Sequence, residues 1–369
     1  MKKIDWYILK TFMVTFFFVL LLFTVIGIVI DISEKTDDFV KSGLSTYEII
    51  TKYYFGFVPR IGAMLFPLWV FIAAIFFTSK MAGRSEVIAI LASGTSYNRF
   101  LRPYLFGGVI FATMLWFMQR SVIPRANEIF SVFQVTYIDN NSSYEAAKGG
   151  TQPYVNSVYR KIDANTYAGV NSYDTIHKTA GTFFLHRMNN NKLVYNLRAE
   201  SIRWDTAEKR NKWVLTNVVE RTFNGNDETV SFATEKTMDL NFKPFDLRLD
   251  EYAKDKLPTP ELRSFIKVEE QRGSEGINAM KVELYKRDAT PFAVIILSLI
   301  GGIVASRRVR GGSGMHLAIG ITSAAAFVML DRFSTIFSTK SDFPPLLAAW
   351  TPNIIFMFVA YYFYKKAPK

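Results

Sequence analysis

The residue types that do chemistry are sparse in this chain, and their spacing excludes most reactions. His177, His186 and His316 stand far apart and there is no cysteine, so no pair has metal-ligand spacing and no metal site is expected. No P-loop, HExxH or GxSxG pattern occurs; Gly149-Gly150 and Gly311-Gly312 lack the flanking residues of a phosphate-binding loop. The chain is expected to hydrolyse no nucleotide by itself, so any work must be powered by another subunit. What is left is charge. In the segment 80–102 four bases, Lys80, Arg84, Arg99 and Arg102, accompany a single acid, Glu86. An isolated acid there serves either a helix dipole or an arginine on a partner. Lys35 and Lys41, among Asp31, Glu34, Asp37 and Asp38, offer cations to a charged lipid headgroup or are solvated charges at a helix end. Asp331 beside Arg332 offers a helix-end ion pair or a gate.

The element that positions Glu86 is a short helix of about two to three turns over 84–94. Val87, Ile90 and Leu91 fall on one face, Ser85 is placed to cap the start, and Gly94 to stop the end. Such a helix is too short to span a bilayer. It is either a connector or the grip of a soluble motor, its apolar face filling a groove on the partner.

On either side stand charge-free runs long enough to cross about 30 Å of hydrocarbon. There are six, at 11–30, 61–79, 103–119, 289–306, 311–330 and 343–364. A loop is expected over 31–57, Pro124 and Arg125 are expected to mark the exit of the third span, and 307–314 reads as a tight basic turn. The first run follows Lys2, Lys3 and Lys10, exceeds a signal-peptide core, and has no small-x-small site in 28–33, so it is expected to be a retained anchor. Lys2, Lys3, Lys10, the bases of 80–102, Arg307, Arg308, Arg310, Lys365, Lys366 and Lys369 fall on one side of the membrane. By the positive-inside rule that side is cytoplasmic, which puts both termini inside and the long middle segment outside. The net charge of +12 largely reflects this asymmetry and is no nucleic-acid signature.

The middle segment, 125–274, differs in kind. Its alternation predicts strands over 154–161, 166–173, 181–187, 192–204, 212–223 and 228–242, with turn chemistry at 189–191, 205–211 and 224–227. A sandwich or open roll is expected, followed by helices over 258–273 and 278–287. Phe183, Leu185, Val194, Leu197, Val214 and Val218 form either a closed core or an apolar groove. The fold class is therefore a helical membrane protein, six spans arranged 3+3, with an inserted β domain. Residues 1–124 hold spans 1–3, and 275–369 hold spans 4–6.

Several motifs in this order carry a resemblance. Arg84-Ser85-Glu86, then Leu91-Ala92-Ser93-Gly94, then Tyr285, Arg287 and Pro291, then Leu330-Asp331-Arg332, Pro344 and Trp350-Thr351-Pro352-Asn353 resemble the LptF/LptG permeases of the lipopolysaccharide export ABC transporter. The resemblance covers nearly the whole chain. It implies a non-catalytic subunit of the bacterial inner membrane, paired with a second LptF/LptG-type permease. A cytoplasmic LptB-like ATPase dimer, holding the ATP and Mg2+, would dock on the helix of Arg84, Ser85, Glu86, Val87, Ile90 and Leu91. Lipopolysaccharide would pass to a periplasmic β-jellyroll domain and on to LptC/LptA-like bridge proteins. No cofactor is implied on this chain itself. The LptG members of that family carry bases at the outer end of helix 1 that meet lipid phosphates; here the stretch mixes in Asp31, Glu34, Asp37 and Asp38, and Lys35 and Lys41 are the nearest candidates. Two other readings are an ABC permease for another lipid or lipoprotein cargo, and a membrane-anchored assembly scaffold that moves nothing. Six spans exceed what an anchor needs.

Overall fold

The long apolar runs can satisfy their backbone groups in hydrocarbon only as helices, and helices are what they form. The computed structural model describes residues 3–138 and 154–367, except 156–157, 164, 175–177, 190–191, 206–211, 226, 241, 243–252, 273–275, 307–312 and 342. The elements are α1 (Lys3–Ser42), α2 (Thr46–Ile49), α3 (Phe55–Gly83), α4 (Glu86–Ala92), α5 (Tyr97–Phe117), α6 (Ile123–Phe133), then β1 (Tyr154–Val155), β2 (Val158–Asp163), β3 (Thr166–Asp174), β4 (Thr179–Asn189), β5 (Lys192–Asp205), β6 (Lys212–Asn224) and β7 (Asp227–Met238). After them come α7 (Ala253–Lys256), α8 (Thr259–Arg272), α9 (Ile277–Ala305), α10 (Ser313–Lys340) and α11 (Pro345–Lys366). Among the described residues six candidate membrane spans result, so the chain is a multi-pass helical membrane protein with an inserted β domain. The basic turn expected at 307–314 and the turns at 190–191, 206–211 and 226 lie wholly or partly outside the described residues.

Two compact units emerge. The helical unit comprises Met1–Gln134, Lys254–Leu262 and Asn278–Lys369; the sheet unit comprises Val135–Ala253 and Arg263–Ile277.

In the helical unit two expectations are corrected. Residues 31–42 were expected as loop but continue α1, which at 1.5 Å per residue is roughly 60 Å long. Nothing between Gly27 and Gly43 breaks the helix, and Gly43 stops it with a left-handed φ of 65°. Pro124 was expected to mark the exit of the third span, yet the helix runs on to Phe133. A π turn at Met118–Val122 ends two residues before the proline and widens the spiral at Arg120, the i−4 position its ring would meet. A second π turn, Ile50–Tyr54, leads into α3.

The helices meet closely through small residues. A Cβ on Gly301 would stand 2.7 Å from the Ala74 Cβ, and one on Gly302 2.7 Å from the Tyr104 ring, so α9 lies against α3 and α5 at backbone distance. Phe12, Phe16, Phe66, Phe77, Tyr104 and Phe111 fill the space between α1, α3 and α5. Pro352 in α11 has no N–H for the Ala348 carbonyl, and the buried Ser334 hydroxyl of α10 donates to that oxygen at 2.7 Å.

Among the described residues the sheet unit forms one antiparallel sheet in which β3 to β7 pair consecutively, with β1 and β2 both on β3. Consecutive pairing within a single sheet takes the open-roll side of the sequence expectation. The buried series does not keep strict alternation. It steps by three between Ala180 and Phe183, between Ala199 and Ile202, and between Leu215 and Val218. These steps are in register, since Ala180 opposes Ile202, which opposes Leu215, while Phe183 opposes Ala199, which opposes Val218. A line of reversed pleat therefore crosses three strands, with Asn217 on it at a φ of 50°. Phe242, beyond β7, closes over the apolar face, accepting a hydrogen bond from Trp213 Nε1 at 2.9 Å and lying 6.5 Å from the Phe183 ring.

Candidate functional site

The isolated acid sits where α3 ends. Ser85 immediately precedes α4, but with a left-handed backbone (φ 60°), and its side chain does not cap the helix. The expected cap is thus corrected; Ser85 makes the corner that redirects the chain. Gly94 closes α4 with a φ of 83°, as its position suggests. Val87 is only 1% exposed and packs into the core of α1, α3 and α5, with Ile90 and Leu91 half-buried against it. Burial in this chain takes Val87 away from any partner's groove. The face α4 presents outward is Ile88, Ala89 and Ala92, with Arg84 beside it. Glu86 is held within the chain: its carboxylate accepts from Tyr7 Oη at 3.2 Å and lies 3.8 Å from Arg84.

At the opposite end of the helices Lys35 is not a free cation. Its ammonium donates to Tyr53 Oη and, at 3.4 Å, to Gln134, and lies 3.5 Å from the Asp31 carboxylate. Asp31, 6% exposed, accepts from Tyr53 at 2.9 Å and from Tyr54 at 3.1 Å. A buried carboxylate must be paired and hydrogen-bonded, and Lys35 with two tyrosines meets that need. The network ties α1 to the π turn 50–54 and to the end of α6. Lys41, by contrast, is exposed at the end of α1.

A pocket of about 330 Å³ opens among α3, α6, α9, α10 and α11. Asp331 and Arg332 both line it, and they do not pair with each other. Asp331 bonds Lys286 Nζ at 2.6 Å, whereas the Arg332 guanidinium touches the Met64 sulfur at 3.2 Å. Opposite them Arg60 lies 3.7 Å from Asp255 and over the Phe130 ring. Arg287, 4% exposed, donates to the Leu257 carbonyl at 2.9 Å, the Lys254 carbonyl at 3.1 Å and Thr259 Oγ1 at 3.2 Å, with Glu283 at 3.8 Å. It thereby clamps α7 and the start of α8 onto α9. Sequence reasoning assigned no role to Arg60, Glu283 or Lys286. The readable signal was Glu283, Lys286 and Arg287 spaced i, i+3 and i+4, on one face of a helix that continues into an apolar span.

In the sheet unit the six groove candidates divide between faces. Phe183, Leu185, Leu197 and Val218 are buried in one apolar cluster. Val214, between the clustered Trp213 and Leu215, belongs by alternation to the other face, as does the half-buried Val194 between Leu193 and Tyr195. Two groups here have shifted protonation. Burial, then the Arg198 charge, pushes the His186 imidazole below its ordinary value. Burial and the hydrogen bond to Glu220 push the Tyr195 hydroxyl up to about 12.

The arrangement provides a short helix with Ile88, Ala89 and Ala92 exposed, a charged pocket at the far end of the same bundle, and a sheet with a hydrophobic face. A comparison with curated proteins gives no match. The family model of the lipopolysaccharide export system permease LptF/LptG matches residues 6–366, taking in the helical bundle and the inserted sheet alike. The chain belongs to the LptF/LptG family of lipopolysaccharide export permeases.

Proposed function

We propose that this chain is one of two permease subunits that together lift lipopolysaccharide from the outer leaflet of the bacterial inner membrane and pass it to periplasmic jellyroll proteins. The observation that carries the reading is the family match running through both the bundle and the sheet. Export needs external work, because each methylene of a multi-acyl lipid brought into water costs about 0.8 kcal/mol. The chain has no nucleotide-binding motif, so an LptB-like ATPase supplies ATP hydrolysis with its own Mg2+, and α4 is where it grips. Val87 and the half-buried Ile90 and Leu91 fix α4 to the bundle; Ile88, Ala89 and Ala92 meet the ATPase. Motion of α4 is then carried into α1, α3 and α5, against which it is packed. In this scheme both termini and α4 are cytoplasmic and the sheet is periplasmic. Lys41 is the headgroup contact of α1, and Lys35 holds the helix end together. The sheet receives the acyl chains at its apolar face, where Phe183 and Leu197 lie, once Phe242 moves off that face.

The deciding experiment uses the complex co-expressed with its neighbouring permease and ATPase. Ile88→Asp and Glu86→Lys should leave the chain inserted and folded, since both side chains are at least partly exposed. ATPase co-purification should fall about tenfold or more, the scale of one or two well-placed interface contacts. Normal co-purification and transport by both variants would reduce α4 to a connector and favour a scaffold that moves nothing.

A further inference from the structure

The pocket at the far end of the bundle carries an unbalanced charge and unfilled polar valences. Its walls hold four bases, Arg60, Lys286, Arg287 and Arg332, against three acids, Asp255, Glu283 and Asp331. Lys286 is taken by Asp331, Arg287 by Glu283 and three oxygens of 254–259, and Arg60 leans on Asp255 at 3.7 Å. Arg332 has no carboxylate partner among the described residues and touches the Met64 sulfur. Three buried atoms of the wall, Arg60 Nη1, Gln119 Oε1 and Asn127 Oδ1, make no hydrogen bond among the described residues. Asn127 is only 7% exposed, and the π turn at Met118–Val122 holds Gln119. Buried polar atoms in a membrane bundle are costly unless matched.

The other wall is apolar and reaches the surface of the bundle. Leu68, Ala324 and Phe327 line it, and Met64, Val328 and Arg332 form its exposed rim, on helices that cross the membrane. An occupant must therefore bring one net negative charge, hydrogen-bond donors for two amide oxygens, and a hydrocarbon part that leaves sideways between α3 and α10. A volume of about 330 Å³ equals that of roughly ten or eleven waters, the size of a phosphoglycerol group with about ten non-hydrogen atoms.

We propose that this pocket is a binding site, inside one subunit, for the phosphodiester headgroup of an anionic glycerophospholipid, with Arg60 and Arg332 on the phosphate and Gln119 and Asn127 on the headgroup hydroxyls. The single negative charge cancels the excess of the walls, and the acyl chains lie on Met64, Phe327 and Val328. The site belongs to one chain and does not depend on the export reading. A resident lipid there would wedge α3 and α10 at a set distance.

Full-length protein in neutral detergent would be titrated with short-chain phosphatidylglycerol and its retention read by native mass spectrometry. We expect one molecule per chain. Arg332→Gln and Arg60→Gln should each weaken binding about tenfold or more, the scale of a charged hydrogen bond, and Arg332→Lys should weaken it less. Arg332 is exposed, so its variants should keep the melting temperature and decide the question even if Arg60→Gln does not fold. Inorganic phosphate at equal concentration should not displace the lipid. Undiminished retention in a folded Arg332→Gln variant overturns the proposal. Displacement by inorganic phosphate at equal potency overturns the lipid source.

Discussion

Arg287 gives the sharpest test of how the helical unit is held together. Its guanidinium is buried, and its distances place it on two backbone carbonyls and a hydroxyl, all within 3.2 Å. Arg287→Met keeps the length and apolar stem of the side chain and removes only the charge and donors. Three acceptors are then left unmatched, at roughly 1 to 3 kcal/mol for each that water cannot reach. Glu283, 3.8 Å away, loses its base. Removing one member of a buried pair costs about 3 to 5 kcal/mol by itself. These effects overlap, since the carboxylate can take up a proton and the carbonyls can admit water. A total of about 3 to 5 kcal/mol is expected. Arg287→Lys should recover less than half, because one ammonium cannot span carbonyls on both sides of the fork. The assay is thermal unfolding of the purified full chain together with limited proteolysis of 254–259. The variant should lose thermal stability and be cut at that segment first. Unchanged protection of 254–259 in Arg287→Met would refute the clamp.

Three further outcomes follow from the same geometry. Lys35→Met should destabilise the protein by about 2 to 4 kcal/mol by leaving the Asp31 carboxylate uncompensated, whereas Lys41→Glu should leave thermal stability unchanged and lower lipid loading in a crosslinking assay; the reverse pattern would refute the division of roles. Ser334→Ala orphans the Ala348 carbonyl beside Pro352 and should cost about 0.5 to 2 kcal/mol, read as a lower unfolding midpoint that Pro352→Ala, which restores the N–H, partly recovers. His186 has a lowered folded value, so its contribution to sheet stability is complete above about 6.5 and is lost as the pH falls below it, because the unfolded chain takes the proton first; His186→Gln should flatten the unfolding midpoint of the sheet between pH 7.5 and 5, followed by the near-ultraviolet signal of the Trp204–Trp213 pair.

Much of the architecture was legible in the chain itself. Charge-free runs of sufficient length admit only spanning helices, because hydrocarbon offers no partner for a peptide group. The strands were readable because apolar side chains on a half-buried ribbon must alternate, and the turns because Asn, Asp and Gly interrupt them; β5 and β6 follow the expected bounds to within a residue. The short helix between two spans was visible as Val87, Ile90 and Leu91 on one face, closed by Gly94. Other features depend on what lies opposite in space. Asp31, Glu34, Asp37 and Asp38 read as loop because local composition says nothing of Tyr53 and Tyr54, which accept α1 as a neighbour and bury Asp31 against it. Which side of α4 is left exposed was set by the core that took Val87. Strict alternation would place Ile202 on the face opposite Leu197; three strands reverse their pleat together, which no single strand's pattern encodes, and bring both inside. The pocket of Arg60 and Arg332 joins residues far apart in sequence, and only the packing of α3 against α10 decides that these charges meet.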